Sequence, residues 1–315
     1  MKQIVQAGSS FLWKEPKENK VLAKIKAFPL EALHTFLTDE DTMRLYQESL
    51  VDSEVLYGTI VEVITQTDGW SHVIVLDQKS NKHPLGYPGY LPNEVLKPLP
   101  PDYATAKRRI GVIAKEAVLV FDSTTRLVSF GTVLPLVGET ADSYQVATPN
   151  GPATIAKAFA HVLSDTWAKL PEKIIALAEQ FINQPYVWAG ISGSGFDCSG
   201  FMYSLHRLHG ILIPRDTIEQ AQQANIVPYS QAQPGDLLLF AYEEGKGEVH
   251  HVGLYLGDDE MIHSRTPGSR VMKTKITGSN YEPELAVVAR YWQNQPNASQ
   301  ERSWTFFHDR KERSI

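Results

Sequence analysis

Apolar and polar positions alternate in short runs over the first part of the chain. Val55-Leu-Tyr-Gly-Thr-Ile-Val-Glu-Val-Ile64 and Trp70-Ser-His-Val-Ile-Val75 are β-branched and partly alternating, and Asp68-Gly69 between them has hairpin-turn composition. Ahead of them, Leu33, Phe36, Leu37, Met43 and Leu45 suit one short helix within Leu30 to Leu50, an insertion into a small β-barrel. Gly86-Tyr-Pro-Gly-Tyr-Leu-Pro92 carries two prolines and two tyrosines, and suits either a turn with packing aromatics or a ligand-contacting edge. The pattern then recurs weakly. Leu56-Tyr-Gly-Thr59 corresponds to Ser129-Phe-Gly-Thr132, and Gly69-Trp-Ser-His-Val73 to Asp142-Ser-Tyr-Gln-Val146. Two small barrels in tandem, jointed at Pro98 to Pro101, account for this spacing better than one large sheet.

From about residue 166 the period changes. Pro171-Glu-Lys-Ile-Ile-Ala-Leu-Ala-Glu-Gln-Phe-Ile182 has proline at a helix start and an apolar stripe. Phe201, Leu205 and Leu208 mark a second helix with one buried stripe. Gln233-Pro-Gly-Asp236 is a turn before the strand Leu237-Leu-Leu-Phe240. His250 to Gly257 and Glu260 to His263 read as a hairpin about Asp258-Asp259. Helices first and antiparallel strands after predict an α+β unit. Asn294 to Ile315 is polar and charged apart from Trp304-Thr-Phe-Phe307, and is expected outside the core.

Composition narrows the picture little. The chain has 315 residues, 43% hydrophobic and 21% charged, with a net charge of -6, so nothing points to nucleic acid or an anionic membrane. One cysteine leaves no intrachain disulfide and no multi-cysteine zinc cluster. No run approaches the roughly 20 apolar residues of a membrane span, and the first residues lack a signal-peptide core. A cytoplasmic location is the expectation.

That single cysteine carries the chemistry. A glycine-rich loop ends in Asp197-Cys198-Ser199-Gly200 at the start of the second helix. Asp197 suits the N-cap, and exposed amides with the positive dipole end favour a thiolate at Cys198. His251 and His263 lie on neighbouring strands. With an odd turn between them they leave the same face, opposite each other or one pair apart. Gly253 keeps that face uncrowded, while His250 points the other way, towards core or rim. Cys198 as nucleophile, His251 as base and His263 as the group orienting His251 meet the requirement for acyl transfer, with the first helix amides as oxyanion donors. The same three residues could instead hold zinc with an open fourth position, although no local zinc spacing accompanies them.

Four motifs in order, Asp197-Cys-Ser-Gly200, Pro234-Gly-Asp236, His251-Val-Gly-Leu-Tyr-Leu-Gly257 and Met261-Ile-His263, resemble the NlpC-type cysteine peptidases, a compact papain-like fold, over about residues 170 to 292. The preceding repeats resemble bacterial SH3-type barrels. With Gly86-Tyr-Pro-Gly-Tyr90 in the first, the whole chain resembles the bacterial γ-D-glutamyl-L-diamino acid endopeptidases that trim murein peptides. The resemblance implies two SH3-like barrels (1–99 and 100–165), an α+β peptidase unit (166–293) and a tail (294–315). It implies a triad of Cys198, His251 and His263, and an oxyanion site of Tyr186 with Cys198. Asp197, Ser199, Asp216 and Thr217 would contact substrate, Thr217 standing where the motif usually has serine. Tyr87 and Glu54 would help hold the free amine of an N-terminal L-alanine. The implied partner is a short murein peptide, with no metal or cofactor. An exported hydrolase of polymeric wall and a non-catalytic wall-fragment binder are the alternatives.

Overall fold

The computed structural model describes residues 1–28, 30–163 and 170–293. The C-terminal stretch expected outside the core lies beyond the described residues, as does the expected junction near residue 165.

Alternating apolar runs closed by tight turns build two seven-stranded sheets. The first contains β1 (Lys2–Val5), β2 (Ser9–Trp13), β3 (Val51–Leu56), β4 (Ile60–Gln66), β5 (Trp70–Val75), β6 (Tyr87–Pro92) and β7 (Leu96–Pro98). Its strand order is β3-β2-β6-β5-β4-β1-β7. The second contains β8 (Arg109–Val112), β9 (Glu116–Val120), β10 (Thr125–Ser129), β11 (Val133–Glu139), β12 (Ser143–Thr148), β13 (Gly151–Ala156) and β14 (Ala160–Val162). Its order, β10-β9-β13-β12-β11-β8-β14, is the first shifted by seven throughout, so the two share one topology.

The repeated Gly-Thr of the sequence is a turn made twice. Gly58 donates its amide to the Val5 carbonyl at 2.9 Å, and Gly131 to the Val112 carbonyl at 3.0 Å. Both glycines have positive φ, +83° and +84°, a region that side chains with a Cβ rarely adopt. The flanking Leu56 and Phe130 leave their sheets and enter the core of the third unit.

The insertion between β2 and β3 departs from expectation. It holds two helices, α1 (Lys20–Lys26) and α2 (Asp39–Gln47), where one was expected. Asn19 caps α1 by accepting the Leu22 amide, and Thr38 with Asp41 forms a capping box on α2. Leu33, Phe36 and Leu37 precede α2 rather than belonging to it. Gly86 to Pro92, read as either a turn or a ligand-contacting edge, contains a strand, β6, paired along its length with β5.

The third unit contains α3 (Leu170–Glu179), a short ribbon of β15 (Ile191–Ser192) and β16 (Gly195–Phe196), α4 (Cys198–Leu208) and α5 (Thr217–Gln222). A six-stranded sheet follows, built from β17 (Asn225–Val227), β18 (Leu237–Ala241), β19 (Val249–Gly257), β20 (Glu260–Ser264), β21 (Val271–Lys275) and β22 (Leu285–Arg290) in the order β17-β22-β18-β19-β20-β21. All three units thus bear out two all-β parts followed by an α+β part.

Helix α4 is buried on every side, not along one stripe as its apolar spacing suggested. Several of its polar side chains find partners in neighbouring elements. Arg207 reaches Asp77 of the first sheet's β5–β6 loop at 2.5 Å, and Ser204 donates to the Ile191 carbonyl at 3.0 Å. Phe201 packs on Phe196, which also meets Phe130 and Phe181 edge-on. Truncating a fully buried aromatic such as Phe196 costs about 3–5 kcal/mol. This packing fixes the start of α4 against the sheet. Among the described residues no helix is long and apolar enough to cross a membrane.

Candidate active site

Cys198 is the first residue of α4, and Asp197 caps the helix by accepting the Gly200 amide at 2.6 Å. Cys198's own amide, in the first turn, has no intrahelical acceptor. The Asp197 carboxylate is also clamped by Arg215, through Nη1 at 3.1 Å and Nη2 at 2.8 Å. Arg215 reaches Ser199 Oγ and Ser53 Oγ as well, at 3.1 and 3.0 Å. Asp197 and Ser199, expected to touch substrate, have their side chains spent on this buried network. Its role is local: it locks the turn that presents the sulfur.

The sulfur's surroundings correct one expectation. Burial pushes the Cys198 thiol up to about 11, and the nearby Asp197 charge adds to that; the Thr217 hydroxyl and the Ser199 and Val252 amides act in the opposite direction. A helix start is therefore not enough to lower the thiol: burial outweighs the hydroxyl and amide contacts that favour ionisation. Thr217 Oγ1 lies 3.7 Å from Sγ. The Val252 amide beside Sγ sets the sulfur against β19 next to His251.

The two histidines share a face, but not through an odd turn: the turn has two residues, Asp258 and Asp259, and a register shift between Tyr255 and Gly257 restores the parity. Leu254 pairs with Ile262 and Tyr255 with Met261, so counting back sets His263 across from Gly253 and His251 one pair along. A Cβ on Gly253 would lie 3.3 Å from the His263 Cβ and 2.6 Å from Met261 Sδ, which is why a glycine stands there. His251 Nε2 and His263 Nδ1 are 2.7 Å apart, and His263 Nε2 lies 2.8 Å from Thr274 Oγ1. With Nε2 engaged, Nδ1 is the His251 nitrogen left to take a proton. Burial holds both imidazoles below their ordinary range, aided by His263, His250 and Arg265 for His251; His263 is lowered to about 3, with Arg265 contributing. Tyr281 stacks on His251 with centroids 5.1 Å apart and covers the pair. His250 sits at the rim, stacked on Tyr242 and 3.2 Å from Glu284.

Tyr186 is buried near the sulfur. Burial and the neighbouring Cys198 and Asp197 charges push its hydroxyl well above the ordinary range, so it stays a proton donor. Among the described residues no group of three His, Cys, Asp or Glu side chains has the arrangement of a metal site.

Next to this constellation the first sheet meets α5. Asp216 stands at the N-cap position of α5, yet its side chain makes no capping bond. It accepts the Tyr87 hydroxyl at 2.7 Å instead. The carboxylate beside this pair is Asp52, whose charge raises the Tyr87 hydroxyl after burial and Asp216. Glu54, two residues on in β3 and past the register shift that leaves Asp52 unpaired with β2, was the expected partner. It is 1% exposed and accepts the Ile191 amide at 2.8 Å, so it braces the ribbon before Cys198 and does not face a ligand. The approach of the α5 start to β3 and β6, which no spacing in the chain records, puts Asp52 beside the pair. Thr274, Tyr281 and Arg215 are site residues that no spacing in the sequence singles out.

Residues 183–290 match the NlpC/P60 family, and residues 112–162 match the YKFC SH3b2 domain. A Bacillus subtilis (strain 168) protein, Gamma-D-glutamyl-L-lysine dipeptidyl-peptidase, is 35% identical over 296 residues, covering 92% of this chain and 99% of that one. A Bacillus cereus protein of the same name is 31% identical over 303 residues, covering 92% and 91%. The crystal structure of an NlpC/P60 family protein from Bacillus cereus is similar with a TM-score of 0.83 at 29% identity, covering 93% of this chain and 100% of that one. The fold, the ordered site and relatives matched along nearly their whole length agree: the chain belongs to the NlpC/P60 family.

Proposed function

We propose that this protein is a cysteine endopeptidase that cuts murein peptides between γ-linked D-glutamate and the following diamino acid, lysine or meso-diaminopimelate. The observation that carries the chemistry is the His251–His263 bond of 2.7 Å beside a sulfur held at the Val252 amide. The substrate class is supported by two relatives named Gamma-D-glutamyl-L-lysine dipeptidyl-peptidase that align over 92% of this chain.

His251 Nδ1 takes the thiol proton as Sγ attacks the γ-carbonyl carbon of D-glutamate. The oxyanion is held by the Cys198 amide and the Tyr186 hydroxyl. The His251 imidazolium then protonates the departing α-amine of the diamino acid, leaving a thioester on Cys198. Water, deprotonated by His251, attacks the thioester, and the returning proton restores the thiol. With thiol and imidazole both pushed towards neutrality at rest, proton transfer accompanies attack rather than preceding it.

The first unit supplies selectivity. Tyr87, Asp216 and Asp52 form an acceptor-rich corner suited to the free ammonium of an N-terminal L-alanine. Thr217 Oγ1, 3.7 Å from the sulfur, borders the same site. We divide the chain functionally into residues 1–99, 100–165 and 166–293, a division that limited proteolysis would test. Free short peptides as substrates fit a cytoplasmic enzyme, which cell fractionation would check. The deciding assay compares L-Ala-γ-D-Glu-L-Lys with its N-acetylated form. Cleavage of the free peptide alone supports the reading, and equal cleavage of both removes the amine site from it.

A further inference from the structure

Lys82 lies in the loop between β5 and β6, and its side chain ends in the corner just described. Nζ donates to the Tyr87 hydroxyl and lies 3.4 Å from Asp52 Oδ2 and 3.5 Å from Asp216 Oδ2. It also stands 4.3 Å from the centre of the Tyr87 ring. Asp52 meets a second cation, Lys14, at 3.3 Å. The two carboxylates are therefore already balanced by ammonium groups of the chain itself.

The backbone carrying Lys82 is held by hydrogen bonds, while its side chain is partly open to solvent. Asn81 donates its amide to Glu219 Oε1 at 2.7 Å, Arg215 donates its amide to the Lys79 carbonyl at 3.1 Å, and the Lys82 amide donates to Ser80 Oγ at 3.1 Å. The first bond ties the loop to α5, the second to the segment just before it, and the third holds the loop itself. The Lys82 side chain is 42% exposed. A cleft of about 460 Å³ opens beside it, lined by Lys14, Asp52, His72, Lys82, Pro88 and Tyr90. The side chain can swing into that space without moving the loop.

We infer that Lys82 is a specificity-determining residue: its ammonium fills the amine subsite of the free protein, and a peptide's N-terminal ammonium must displace it to bind. The inference rests on the amine site proposed above. Two ammonium groups cannot share one set of acceptors without repulsion, so each peptide that enters gives up the ion pairs Lys82 made. Pairs this exposed are weak, so the competition lowers affinity by only about threefold to fivefold. It penalises ligands that offer an amine alone and spares peptides that also fill the groove.

The test measures KM and kcat for L-Ala-γ-D-Glu-L-Lys and its N-acetylated form with wild type, Lys82→Ala, Lys82→Met and Lys82→Arg. Methionine keeps the stem and removes the charge, which guards against a packing effect. The expected result is a KM for the free peptide about threefold to fivefold lower in the alanine and methionine variants, with no gain for the blocked peptide. Arginine keeps the wild-type preference. A KM for the free peptide that is unchanged or raised in both uncharged variants overturns the inference. The amine site fails separately, if wild type cuts both peptides equally. In that case the inference about Lys82 falls with it, whereas a wild-type preference for the free peptide with an unchanged KM in the uncharged variants overturns the Lys82 role alone.

Discussion

Thr274→Val is the most informative single change away from the sulfur. For His251 Nδ1 to accept the thiol proton, Nε2 must carry the ring hydrogen and donate it to His263 Nδ1 across 2.7 Å. His263 must then carry its hydrogen on Nε2 and donate it to Thr274 Oγ1 across 2.8 Å. Thr274 thus sets the tautomer of the whole chain of rings. Valine has the same shape but cannot accept, which leaves a fully buried N–H without a partner or drives the pair into the wrong tautomer. An unsatisfied buried group costs about 1–3 kcal/mol, and partial relaxation leaves about 1–2 kcal/mol at the transition state, or roughly a fivefold to thirtyfold loss. Thr274 is placed away from the substrate, so the loss falls on kcat with KM little changed. Steady-state kinetics on L-Ala-γ-D-Glu-L-Lys measures it, and long-range proton–nitrogen spectra of the imidazoles report the tautomer. A kcat within twofold of wild type, or a loss confined to KM, refutes the relay.

Other outcomes follow from the same geometry. The rate of iodoacetamide alkylation at Cys198 in the free protein should keep rising through pH 9, since burial lifts the thiol to about 11; a plateau below pH 7 would show a preformed thiolate. Activity needs neutral His251, whose range is lowered, so the acid limb of kcat/KM should lie below pH 6.5. Asp216→Asn should raise KM for the free peptide by about tenfold and leave the N-acetylated peptide unaffected, as judged by parallel kinetics. Glu54 is raised by burial from 4.5 to about 7. Its favourable protonated state in the fold is fully present below about pH 4.5 and lost as pH rises through 7. Glu54→Gln should therefore stabilise the protein at pH 8 by up to about 3 kcal/mol and have little effect at pH 4.5, read from urea midpoints at the two values.

Much of the fold was legible in the chain because its signals are local. The Gly-Thr turns at Gly58 and Gly131 need positive φ, and that need is written in the residue itself. Period-two alternation suggested that His251 and His263 share a face, but it is the register shift after Tyr255, not an odd turn, that puts them one pair apart. What was missed depends on contact between units. Helix α1 has only seven residues and is held by Trp13 and Trp70 of the sheet, so its own pattern is too short to read. Glu54 and Asp52 are both acids on β3, and only the approach of α5 decides which one borders Tyr87. The thiol's environment was misjudged for the same reason. The helix start is visible in sequence, but the burial that outweighs it is supplied by β19 and α5.

The central claim is that one sulfur performs the cleavage. Release of free lysine from L-Ala-γ-D-Glu-L-Lys, followed for wild type and Cys198→Ala at equal concentration, tests it most directly. The account predicts lysine release by wild type and a loss of at least about a thousandfold in the variant. Release by Cys198→Ala within tenfold of wild type would contradict it.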